Sequence, residues 1–87
     1  MWNLQQGDPM SQCTILKRGL EVREIDLYKN GFAFLITCKV LKSSFHKEGL
    51  RETLYNPETE AQAEFLYGSA VRFLQRFQYE VVSECLF

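Results

Sequence analysis

Two stretches of the chain alternate apolar and polar residues with period two. They are "CTILKRGLEVREIDLY" (Cys13 to Tyr28) and the run from Phe32 to Leu41. This is the mark of β-strands, whose successive side chains point to opposite faces. "RETLYN", Arg51 to Asn56, is a shorter segment of the same kind, and Val81 and Val82 sit in a last one. Between these two the period changes to that of a helix, with apolar positions at Ala63, Leu66, Ala70, Leu74 and Phe77. Tyr67, Val71 and Phe73 widen the stripe.

Local signals punctuate these elements. Asn30-Gly31 predicts a two-residue type I′ hairpin loop, because both central residues need positive φ. That loop would place Leu27 opposite Phe34 and Ile25 opposite Ile36. One face of the ribbon is then apolar, carrying Phe32, Phe34, Ile36, Cys38 and Val40, and belongs under the helix. The other face carries Tyr28, Ala33, Leu35, Thr37 and Lys39. Gly19 reads either as a turn between two short strands or as a bulge in one long strand. Asn56 is the expected N-cap and Pro57 the first helical residue, followed by Glu58 and Glu60 at the dipole's positive end. The helix is expected to reach about Phe77.

The fold class is therefore α+β: an antiparallel sheet of four to five strands with one long helix packed on one face. The order is β-β-β-β-α-β, or β-β-β-α-β if Gly19 is a bulge. The single domain covers residues 13–87, and residues 1–12 form a flexible N-terminal extension.

Composition sharpens this picture in one respect. Of 87 residues, 46% are hydrophobic and 14% aromatic, more rings than one small core readily buries, so part of the aromatic surface is expected to serve as a contact surface. The Phe32–Cys38 run falls far short of the ~20 apolar residues a membrane span needs. Ten basic residues against eleven acidic ones leave a net charge of −1, which neither draws the chain to nucleic acid nor discourages self-association.

Candidate chemistry is sparse. Cys13, Cys38 and Cys85 are too far apart in sequence for a CxxC pair, and an odd count cannot close within the chain. They read as reduced, buried thiols of a cytoplasmic protein. With one histidine and dispersed cysteines, no metal site is expected. His46, flanked by Lys47 and Glu48, has no partner at fixed spacing and reads as a solvated loop residue. Glu58, Glu60 and Glu64 complement the helix dipole. The glycines are scattered, so there is no phosphate-binding loop and no cofactor is implied.

These features predict a small non-enzymatic protein-interaction or regulatory module that binds a protein partner or itself, self-association through its outer sheet face or C-terminal strand being the simplest form, with another protein that it regulates or inhibits equally allowed. The expected contact residues are Tyr28, Leu35, Phe45, Leu86 and Phe87. Strands followed by a helix can also present a sheet to a DNA groove, so the alternative is a nucleic-acid-binding domain. It would use Lys39, Lys42, Lys47 and Arg51, against the opposing charges of Glu21, Glu24 and Asp26.

Overall fold

The structure is a computed structural model that describes residues 10–31 and 33–86. Its elements are β1 (Met10–Arg18), β2 (Glu21–Asn30), β3 (Ala33–Lys42), β4 (Arg51–Tyr55), α1 (Glu60–Arg76) and β5 (Glu80–Leu86). They form one five-stranded sheet in the order β4-β3-β2-β1-β5, with every described pair antiparallel. The expected α+β class and the longer of the two element orders hold. Gly19 is a turn, with φ 59°, and β1 begins three residues before Cys13.

The order of strands explains the helix. The chain leaves β4 on one edge and must enter β5 on the other, four strand spacings or about 19 Å away. The 17 residues of α1 span about 25 Å, enough to cross the sheet in one element. It packs on β2 and β3, burying Ala63, Tyr67 and Ala70 against Leu16, Ile25, Leu27, Phe34 and Ile36. Tyr67 Oη and Thr14 Oγ1 share a hydrogen bond inside this layer, so neither hydroxyl is buried without a partner.

Two local expectations shift. Asn30 pairs with Ala33, and Gly31 takes the first loop position with φ 64°. Leu27 therefore faces Ile36 and Ile25 faces Cys38, two residues along from the register expected. An even shift keeps every side chain on its predicted face, so the apolar ribbon still lies under the helix. The helix also starts later than Asn56. Thr59 is the N-cap, accepting from Gln62 N at 3.2 Å, while Gln62 Oε1 accepts from Glu58 N at 3.0 Å. This reciprocal pair satisfies more orphan donors than Asn56 and Pro57 could, and Pro57 is buried instead.

The helix ends in a Schellman arrangement. Tyr79 N donates to Leu74 O and Gln78 N to Gln75 O, both at 3.1 Å, with Gln78 at φ 71°. Arg18 Nη1 donates to the exposed carbonyl of Phe77 at 2.8 Å, and its guanidinium lies 4.7 Å over the Tyr79 ring. The turn into β5 is thus fixed by backbone and side chain together.

Candidate functional site

The crossing helix leaves part of the sheet uncovered. The helix packs on β2 and β3, and every residue of β4 stays exposed beside it. An open cleft of about 660 Å³ fills the gap. Ile25 and Cys38 form its floor, Leu54 and Tyr55 of β4 one wall, and Phe65 and Phe73 of α1 the other. Leu54 and Tyr55 reach the same side because the β3–β4 register slips between Ile36 and Thr37, pairing Tyr55 with Ile36. Glu52, Arg72 and Arg76 also line the cleft and put both signs of charge there.

This cleft corrects the expected helix stripe. Phe73 and Phe77 are more than half exposed, their rings 4.9 Å apart, and Phe65 is 67% exposed. The period-3.6 pattern places them correctly on the helix but cannot distinguish a core wall from an open one. Every residue of β4 is exposed as well.

The opposite face of the sheet holds a different feature. Cys13, Asp26 and Thr37 stand side by side on β1, β2 and β3, with Cys85 directly opposite Cys13 on β5. Asp26 is wholly buried; Thr37 Oγ1 donates to its Oδ2 at 3.4 Å, and Arg51 Nη2 is 3.8 Å from the same oxygen. Asp26 Oδ1 has no hydrogen-bond partner among the described residues. Burial, and then the neighbouring Glu24, push the Asp26 carboxyl up to about 7. Burial, with Glu24 and Asp26 beside it, pushes the Cys13 thiol up to about 12, and the thiol points at Glu24 Oε1 at 3.9 Å. Burial also raises the Cys38 thiol, on the cleft side. Cys13, Cys38 and Cys85 are all free.

The predicted contact residues fall in several places. Tyr28 and Leu35 are only 4% exposed, so within the single chain they do not form an open surface. Phe45 is 84% exposed on the β3–β4 loop. Leu86 pairs with Gln12 in β5; its side chain and Phe87 lie outside the described residues. Among the basic residues, Lys42 and Lys47 are exposed and Lys39 is half-buried. Arg51 is turned to Asp26 and sits 5.4 Å over the Tyr28 ring.

The β3–β4 loop is anchored rather than loose. Glu21 accepts from Ser43 Oγ at 2.6 Å, Ser44 N at 2.9 Å and Arg23 Nη2 at 3.0 Å. Ser43 Oγ in turn accepts from the amides of Phe45 and His46. The bonds from Ser43 and Ser44, followed by Arg23, hold the Glu21 carboxyl down at about 2. A depressed carboxyl contributes stability that is complete above its ordinary value near 4.5 and is lost as pH falls toward 2. Glu21→Gln should therefore unfold at lower urea than the unmodified chain at pH 7. The two midpoints should converge as pH is lowered through that window.

Comparison with protein-family models, with curated proteins and with solved structures gives no match. No helix among the described residues is long and apolar enough to cross a membrane.

Proposed function

We propose that the protein is a non-enzymatic interaction module that self-associates, with the β4 edge and the adjoining aromatic cleft as its contact surface. The observation that carries this reading is the coincidence of an exposed edge strand, with no further strand beside it among the described residues, and Phe65, Phe73, Leu54 and Tyr55 around one open cleft. An exposed edge offers backbone donors and acceptors to another strand, and exposed aromatics beside it offer area that water covers poorly. A second copy is the occupant that fits. The cleft carries Glu52 against Arg72 and Arg76, so a two-fold arrangement can set the carboxylate of one copy toward the guanidinium groups of the other. The net charge of −1 adds little repulsion between copies. In this reading the contact lies on the helix side of the sheet rather than on the Tyr28–Leu35 face.

Light scattering after size-exclusion chromatography tests it. The mass should rise from one 10.2-kDa chain toward two with concentration. Phe73→Glu should hold the protein at one chain without changing its circular dichroism, while Phe45→Glu, on the loop, should leave association intact. An unmodified protein that stays at one chain throughout would remove this reading.

A further inference from the structure

We propose that Cys13, Glu24 and Asp26 bind a thiophilic divalent cation of the zinc class, with Cys85 in register to supply a fourth donor. Sequence spacing conceals these residues, because they come from three strands; only the antiparallel pairing of Cys13 with both Asp26 and Cys85 brings them together. One ligand atom from each of Cys13, Glu24 and Asp26 lies within 4.8 Å of the others. Donors around a tetrahedral zinc ion stand about 3.5–4 Å apart, so small side-chain rotations close the set.

The second observation is the state of Asp26. Its side chain is fully buried, yet Oδ1 has no hydrogen-bond partner among the described residues, while Oδ2 is held by Thr37 and approached by Arg51. A buried carboxylate oxygen with nothing to accept from is costly, and a cation at the centre of the cluster would remove that cost. Thr37 and Arg51 orient the carboxylate from behind, the role that outer partners play around metal ligands. The donors decide the class of ion. A thiolate beside carboxylates favours zinc-like ions over magnesium or calcium, which take oxygen ligands alone.

The competing way to satisfy Asp26 Oδ1 is a proton shared with Glu24, which needs no metal. Cobalt(II), a spectroscopic substitute for zinc, separates the two. The full chain, reduced and stripped with a chelator, is titrated with Co²⁺ and followed by absorbance. The proposal expects a thiolate-to-cobalt charge-transfer band that saturates at one equivalent and is displaced by Zn²⁺. Cys13→Ser should abolish the band, and Cys38→Ser, on the opposite face, should leave it unchanged. Asp26→Asn, nearly isosteric, should weaken binding by roughly tenfold or more while the chain stays folded. No band from a folded, reduced protein, or a band undiminished in both Cys13→Ser and Asp26→Asn, would overturn the site and leave the shared proton.

Discussion

Replacing Asp26 with asparagine should make the metal-free protein more stable at pH 8, by about 1–3 kcal/mol. Substitution of a fully buried polar residue ordinarily destabilises, so the expected sign is itself informative. Asp26 faces Glu24 on its own strand, Cys13 on β1, Thr37 on β3 and Arg51 on β4. Only Thr37 and Arg51 favour its charge; burial and Glu24 oppose it and win, which is why the carboxyl rises from 3.8 to about 7. Asparagine keeps an acceptor for Thr37 and removes the charge. A carboxyl raised in the folded state carries a cost that is absent below its ordinary value, grows with pH and is complete above about 7. The advantage of Asp26→Asn should thus be full at pH 8 and nearly gone at pH 4. Urea unfolding at both values, with chelator present, reads it directly; a variant less stable than the parent at pH 8 would show that Arg51 and Thr37 outweigh burial.

Leu27→Ala should be the most damaging single truncation on the helix side, costing about 3–5 kcal/mol. Leu27 is completely buried at the centre of β2, paired with Ile36 and part of the cluster that holds Ala63 and Tyr67. The sheet below and the crossing helix above are both fixed by pairing and caps, so the site has little room to collapse around the missing methyl groups. In a chain of this size such a loss lowers Tm by roughly 15–25 °C. Leu20→Ala, at the exposed turn after Gly19, should change stability by no more than about 0.5 kcal/mol. A thermal melt of the two variants checks the contrast between equal substitutions at a closed and an open position.

The sequence made the faces of the sheet legible, and less of what those faces do. Alternation assigns Ile25, Leu27, Phe34 and Ile36 to the helix side, and that assignment survives a hairpin register two residues away from the Asn-Gly expectation. It survives because pleating repeats every two residues. The helix start was obscured by two competing signals. Asn56-Pro57 resembles a cap, but Thr59 accepts from the Gln62 amide and the Gln62 side chain from the Glu58 amide. Phe73 and Phe77 read as core because hydrophobic periodicity reports a face and not how much of that face the sheet covers; both rings are more than half exposed.

The buried thiol and carboxylates were hidden for another reason. Cys13 and Asp26 are partners only once Gly19-Leu20 is taken as the two-residue turn that sets Arg18 against Glu21. That signal was present in the chain, in the glycine that left a turn and a bulge undecided. Cys85 has no such signal, since its place beside Cys13 depends on a helix carrying the chain to the far edge of the sheet.

The central claim is that the β4 edge and its aromatic cleft hold a second copy of the chain. Amide hydrogen exchange, measured residue by residue in dilute and concentrated protein, tests it where it is made. Exchange across Arg51–Tyr55 should slow as concentration rises, while β5, the other edge, and the exposed loop at Phe45 stay unchanged. Protection at β4 that ignores concentration, or a concentration effect that appears at β5 instead, would contradict the account.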